Sequence, residues 1–453
     1  MFNLIDPDSR RDALVTGVGM VTPLGCSADE TWRRLVSGER AGRELSAADI
    51  THFAALRKIP GLSVVGAPVD HDRVAQVLSG SGLMDLTKQF KQLRPQTVTA
   101  WNREPLVTMS LVALTEALQH AGLPVISENP LRTAVVFGSS KGGMRTAERL
   151  SGDHQDSPET QDAFDDSFGD HWISGFQPDS ATRAISAITG ASAASSCPVA
   201  ACATGLIAAL QGAAMIRAGT CDVCIVGSAD AALTASVLAS FHRLRITSRH
   251  DGARTACRPF DETRDGFIVG EGAAVMIVES REHAESRGAV SLARISGGGW
   301  LNDPTGLTQV DTDGTIVAEL LQRVFPRAGQ WPQVINVHGT GTVPNDLAEA
   351  NGIRTFAGAS VAPRCFGVKG AIGHLLGAAG SVETALTILA LHNRQIPGTA
   401  NLNAQDHRCS IPLQGHAQRM PEMTRAAKLS LGFGGHVACG VFDLPSAGTD
   451  TRR

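Results

Sequence analysis

The chain has 453 residues, 43% of them apolar and 19% charged, with 48 glycines and no tyrosine; this excludes a disordered or fibrous polypeptide and leaves length for a large core or two similar halves. A formal net charge of −4 offers no basic footprint for nucleic acid and no polybasic patch for an anionic membrane, so any charged partner must be met locally. Nine cysteines are an odd number, and Asp6, Asp8, Arg10, Arg11 and Asp12 stand where a signal peptide needs an apolar core, so free thiols and a cytoplasmic location are expected.

In chain order, residues 13–16 read as a short strand. Ser27 with Glu30 forms a capping box that opens a helix stopping at Gly38. Residues 46–102 have weak periodicity and predict an insertion or lid of helices and loops. Residues 104–122 return to helical spacing, with Leu106, Met109, Val112, Leu114 and Leu118 apolar, and 133–137 read as a buried strand. An acidic loop follows at 151–179, then a strand, helix and strand over 185–229. Residues 184–216 carry no charge, yet Pro198, Gln211 and many small residues favour a strand and helix buried on all sides over a membrane span. Cys221 and Cys224 lie in an apolar strand with no second pair to complete a zinc site, so they belong to the core. A second run of the same kind starts near Ser291, with strands at 334–337 and 364–368 and helices at 343–356 and 377–392. Each half turns a strand through small residues into a buried Ala-rich helix, once at Cys202 and once at His374. This predicts an internal duplication, residues 1–290 and 291–453, joined in one compact unit.

The first turn, Pro198-Val199-Ala200-Ala201-Cys202-Ala203-Thr204-Gly205, puts a cysteine at a helix start. There, free backbone N–H groups and the dipole can lower a thiol pKa from about 8.5 into the roughly 3.5–7.5 range. His338 ends a strand before Gly339-Thr340-Gly341-Thr342, a place where loops carry function. Lys369 sits five residues before His374 on an apolar strand end, so it reads as a buried charge in need of a partner. Two glycine-rich loops fail as nucleotide sites: Gly17-Val18-Gly19 lacks a third glycine and a downstream acid. In Gly138-Ser139-Ser140-Lys141-Gly142-Gly143 the lysine does not follow the second glycine.

Taken together these motifs resemble the 3-oxoacyl-(acyl-carrier-protein) synthases, most closely the elongating type that includes polyketide ketosynthases. The carriers are the Cys202 turn, His338-Gly339-Thr340-Gly341-Thr342, Lys369 to Gly380 with His374 inside it, and Gly432-Phe433-Gly434-Gly435, opened by Val15-Thr16-Gly17-Val18-Gly19. The resemblance implies an α/β thiolase-like fold, its two pseudo-duplicated halves giving a five-layered αβαβα core. It implies decarboxylative condensation of an acyl thioester with a malonyl thioester, in fatty acid or polyketide and polyene synthesis, with no metal or organic cofactor. Substrates would ride on the phosphopantetheine of an acyl carrier protein. Cys202 would be the nucleophile, and His338 and His374 would bind the enolate. Lys369 would order the site, paired with Glu271. Backbone N–H groups of Cys202 and Phe433 would form an oxyanion hole, and Phe433 a gate. Thr340 and Thr342 would bond the pantetheine amides, with Phe241 and Gly434 completing the substrate site. Ala201, Leu431, His436-Val437, Val368 and Gly370 depart from the family pattern around the pocket, which leaves the acyl group open. A basic rim for the carrier protein is expected from Lys88, Lys91, Arg243 and Arg245. The assembly would be a homodimer or a heterodimer with a ketosynthase-like subunit; an auxiliary, chain-length-factor-like role is the alternative, and a degradative thiolase a weaker one.

Overall fold

The computed structural model describes residues 10–83, 95–152, 172–250 and 252–445. Ten strands form one continuous sheet: β1 (Ala13–Val21), β2 (Thr133–Gly138), β3 (Ala194–Ser196), β4 (Val223–Asp230), β5 (Gly272–Ser280), β6 (Ala293–Asn302), β7 (Val334–Asn336), β8 (Arg364–Phe366), β9 (Arg425–Gly432) and β10 (His436–Asp443). Their order is β8-β7-β9-β10-β6-β1-β5-β4-β2-β3. The two halves of this order repeat one pattern. β2 pairs parallel with β3 and β4, while β4–β5 and β5–β1 are antiparallel. In the same way β7 pairs parallel with β8 and β9, while β9–β10 and β10–β6 are antiparallel. The halves are stitched where Ala13, Leu14 and Val15 of β1 meet Ile295, Arg294 and Ala293 of β6.

The helices repeat too. α3 (Pro105–Ala121) precedes β2 as α7 (Thr315–Val324) precedes β7; α4 (Ser180–Thr189) precedes β3 as α8 (Val343–Ala357) precedes β8; α5 (Thr204–Arg217) leads to β4 as α9 (Ala379–Asn393) leads to β9. The earlier α1 (Ala28–Val36) and α2 (His71–Gly80) flank the first half, and α6 (Ala235–Arg243) follows β4. Side chains alternate across each strand. Val136 of β2 faces a core shared with Leu206 and Leu210 of α5 and Val382 and Leu386 of α9, whereas Val135 and Phe137 face Leu111 of α3 and Ile185 of α4. In β9, Ala426 faces the α5–α9 core and Ala427 and Leu429 face Leu321 of α7 and Ile353 of α8. Five layers result, with α5 and α9 in the middle, as expected for the thiolase-like fold. The central pair touches at backbone distance: a Cβ on Gly205 would lie 2.2 Å from the Ser381 nitrogen, and one on Gly380 would lie 2.7 Å from the Leu206 nitrogen.

Matching elbows precede those helices. Short 3-10 turns at Ala201–Ala203 and Leu376–Ala378 each open on a non-glycine residue in the left-handed region, Ala201 at φ 46° and Leu376 at φ 53°. Such conformations cost of order 1–3 kcal/mol and persist where the surroundings enforce them. Sequence and structure differ at residues 185–189, expected as a strand but lying inside α4, which Gly190 ends at φ 71°. An apolar run buried all round carries no period to separate helix from strand. The described residues of the expected insertion, 46–83 and 95–102, pack on a flank. Val65–Ala67 pairs with Val269–Gly270 in a small sheet, and α2 packs on α3 through Val74 and Leu78.

Candidate active site

Cys202 stands on the first elbow. The Thr204 hydroxyl accepts from the Ala200 N–H at 2.9 Å and donates to the Ala201 carbonyl at 2.7 Å, fixing the turn. His338 follows β7, its N–H donating to the buried Glu349 carboxylate at 2.5 Å, with the Gly339 N–H on the other oxygen at 2.6 Å. His374 follows the short helix Lys369–Ile372; its backbone bridges to the 268–270 segment, with His374 N–H to Ile268 O at 2.8 Å and Gly270 N–H to His374 O at 2.9 Å. The three residues converge: Sγ of Cys202 and a ring nitrogen of each histidine lie within 4.8 Å of one another. The imidazoles meet edge to face at 5.3 Å, and Phe267 packs on His374 at 4.9 Å.

Hydrogen bonds fix both tautomers. The Lys369 ammonium, which has only donors, lies 3.1 Å from His338 Nδ1, and the Leu376 N–H donates to His374 Nδ1 at 3.3 Å. Each Nδ1 is therefore the acceptor, and each Nε2 carries the proton. Burial, followed by the Lys369 charge, holds both imidazoles well below their usual 6.5, so they are neutral donors. These three donors form the grouping among the described residues with the spacing to hold a soft metal ion, but both Nδ1 lone pairs are occupied and the Nε2 edges carry protons.

The partner of Lys369 is Glu383, not Glu271. Lys369 Nζ lies 2.5 Å from Glu383 Oε1, and the equally buried Lys428 lies 2.6 Å from Oε2. Glu271 instead bonds His71 Nε2 at 2.6 Å and lies 3.5 Å from Arg145. The neighbouring Gly270 bonds the His374 backbone, but the Glu271 side chain lies in a polar cavity with His71, Arg73 and Arg145. Burial pushes Lys428 down to about 8 despite Glu383, and Glu349 up to about 7.

The Cys202 thiol is also corrected. Burial pushes it up to about 11, with Lys141 and Lys369 pulling the other way. A helix end contributes at most about 2 kcal/mol, roughly 1.5 pKa units at 1.36 kcal/mol each, so it offsets desolvation only in part. The thiol, not the thiolate, is the resting form.

Cys202, His338 and His374 line a cleft of about 500 Å³ together with Phe241, Phe267, Thr340, Thr342, Leu431 and Phe433. Thr340 and Thr342 join hydroxyls at 2.8 Å. Gly432 lies so close to the Cys202 turn that a Cβ there would stand 2.8 Å from Ala200 O and 3.2 Å from the Cys202 nitrogen. Among the described residues nothing accepts the Phe433 N–H, whereas the Gly434 N–H donates to Leu307 O at 2.8 Å. Gly434 shapes this turn at φ 86° without lining the cleft. Arg243 and Arg245 are exposed, Arg245 at the cleft; Lys88 and Lys91 lie outside the described residues. Sequence reasoning missed Glu383, Lys428 and Glu349. Glu383 gave a signal as the lone acid of an otherwise buried helix, whereas Lys428 shares its strand with Arg425 and Glu349 its helix with Asp346 and Arg354.

The profile of the beta-ketoacyl synthase N-terminal domain matches residues 10–284, and that of the C-terminal domain matches residues 292–403. A 3-oxoacyl-[acyl-carrier-protein] synthase 2 of Staphylococcus aureus is 30% identical over 95% of this chain and 100% of its own. A Streptomyces rimosus protein named as an oxytetracycline polyketide beta-ketoacyl synthase is 30% identical over 97% and 98%. Among solved structures, a complex of a type II polyketide ketosynthase with its acyl carrier protein superposes with a TM-score of 0.78 at 24% identity, covering 96% of this chain and 99% of that one. No helix among the described residues is long and apolar enough to cross a membrane.

Proposed function

This chain belongs to the beta-ketoacyl synthase family, and we propose that it joins an acyl group on Cys202 to a malonyl thioester by decarboxylative Claisen condensation. The convergence of one thiol and two imidazoles with both Nε2–H groups free to donate carries this reading. Cys202 Sγ attacks the acyl thioester carbonyl, the new S–C bond replaces the old one, and the thiol proton leaves with the departing thiol. N–H groups of Cys202 and Phe433 bind the oxyanion, each such donor being worth about 10²–10³ in rate. Malonyl then loses carbon dioxide, and its electron pair becomes an enolate whose oxygen accepts from His338 and His374. The enolate carbon attacks acyl-Cys202, a C–C bond forms, and the sulfur leaves and takes a proton from water.

Lys369 acts as a positioning residue through His338, supported by Glu383. Thr340 and Thr342 face the pantetheine arm, Phe241 the acyl chain, and Phe433 gates the two. The division falls near residue 290, the first half supplying the thiol and the second both histidines. The substrates arrive on an acyl carrier protein, which Arg243 and Arg245 would meet. The relatives admit both fatty acid and polyketide synthesis. A thiol reaching the cleft favours a condensing subunit over an auxiliary one.

The two chemical steps should separate. In His374→Ala, acylation of Cys202 persists in the intact mass spectrum while condensation falls at least about 100-fold. In Cys202→Ala the adduct disappears while malonyl decarboxylation remains. Normal condensation by Cys202→Ala would sink the proposal, and condensation of two acetyl thioesters without malonyl would identify a thiolase.

A further inference from the structure

The cleft holds two cations that take no part in the bond-making steps, Arg245 at its exposed rim and Lys141 beside Cys202. Lys141 sits on the loop after β2, and that loop is pinned by Asp230 at the buried end of β4. Asp230 accepts from the Ser139 hydroxyl at 2.8 Å, from the Ser140 hydroxyl, and from the Gly377 N–H at 2.6 Å. The Ser140 oxygen in turn accepts from Lys141 Nζ at 2.8 Å, and the ammonium stands 5.6 Å over the Phe241 ring. Lys141 thus lines the cleft beside Cys202, touching Asp230 only through a hydroxyl.

The rest of the wall makes this charge conspicuous. Phe241, Leu244, Ile246, Phe267, Leu431 and Phe433 are apolar. The acids on the wall are engaged elsewhere: Asp265 with the Ser248 hydroxyl and Arg249 N–H, Asp303 with the N–H groups of Thr305 and Asp311. Among the described residues no carboxylate forms an ion pair with Lys141. A half-buried ammonium over apolar walls, whose nearest carboxylate Asp230 is reached only through the Ser140 hydroxyl, has donors left for a bound anion to take up in a charge-assisted hydrogen bond.

We propose that Lys141 selects an acyl group that carries a carboxylate beyond its thioester carbon, held at the Phe241 wall while the carbonyl is joined to Cys202. The extender's own carboxylate is the poorer ligand, because a salt bridge to it would stabilise the ground state and oppose loss of carbon dioxide. The inference rests on the condensing role of Cys202 proposed above.

The test uses the full chain and two acyl thioesters of equal length, one ending in methyl and one in carboxylate, with Cys202 acylation followed by intact mass. Wild type should acylate the carboxylate-ended chain at least 10-fold more efficiently. Lys141→Met should reverse that order, and Lys141→Arg should keep it. Equal rates in wild type, or a preference that Lys141→Met leaves unchanged, overturn the inference while the adduct itself upholds the role of Cys202. Loss of malonyl decarboxylation in Lys141→Met with the acyl preference intact assigns the lysine to the extender and likewise overturns it. Failure of every acyl group to label wild type, with no difference from Cys202→Ala, would instead strike the condensing role.

Discussion

Replacing Glu383 by Gln removes the carboxylate that Lys369 and Lys428 share, at 2.5 Å and 2.6 Å, with all three side chains buried. Taking one partner out of a buried ion pair costs about 3–5 kcal/mol, because the remaining charge keeps its desolvation penalty without compensation. Here two ammonium groups lose a common counter-charge. Lys369 also loses the carboxylate that aims its Nζ at His338 Nδ1, so the contact that keeps the imidazole proton on Nε2 is released and the ring can take the other tautomer. The enolate then loses a donor worth about 10²–10³ in rate. Glu383→Gln should therefore unfold at lower urea and release carbon dioxide from a malonyl thioester at least about 100-fold more slowly, while Glu383→Asp recovers part of both. A folded Glu383→Gln protein with wild-type decarboxylation would refute the coupling between this charge cluster and the His338 tautomer.

Because His338 and His374 are held well below 6.5 in the fold, the unfolded chain binds protons there first. Their stabilisation is complete above pH 6.5 and is lost as pH falls toward the folded values, by up to about 1.4 kcal/mol per unit for each ring. Urea titrations at pH 7 and 5.5 should show wild type losing more stability than His374→Gln. With the Cys202 thiol raised to about 11, its alkylation by iodoacetamide should climb about tenfold per unit from pH 7 to 9; a plateau near pH 7 would show a resting thiolate. Peptide mapping should place the label on the half-buried Cys202 and Cys197, not on the seven buried cysteines. Arg245→Glu, at an exposed position, should raise KM for the carrier protein more at low salt than at high; a salt-independent change removes Arg245 from the docking surface.

The convergence of the thiol with the two histidines was legible because small residues surround them in the sequence. Ala200-Ala201-Cys202-Ala203 and Gly373-His374 interrupt strand-to-helix passages in a way that packing alone does not require. The duplicated scaffold was legible from the same passages. The charge partner was not. Lys369 announced that it needed a carboxylate, but sequence spacing cannot tell which strand face a side chain takes, and Glu271 turns away from the lysine whose neighbourhood its backbone shares. Glu383 offered a usable signal, the sole acid in a helix buried along nearly its whole length. The thiol pKa is a contest between helix end and burial, and the depth that decides it exists only in three dimensions.

The two elbows have a consequence for stoichiometry. Each half raises its strained turn with the same hand, and the residue after Ala201 is Cys202, whereas the residue after Leu376 is Gly377. A Cβ on Gly377 would lie 2.5 Å from the Ser140 nitrogen and 2.7 Å from an Asp230 oxygen, so no side chain, reactive or inert, fits at the second apex. Its N–H is committed to Asp230. With Cys202 in its proposed role, a chain built as a repeat offers one acceptor, and loading with an acyl thioester should saturate at one equivalent per polypeptide.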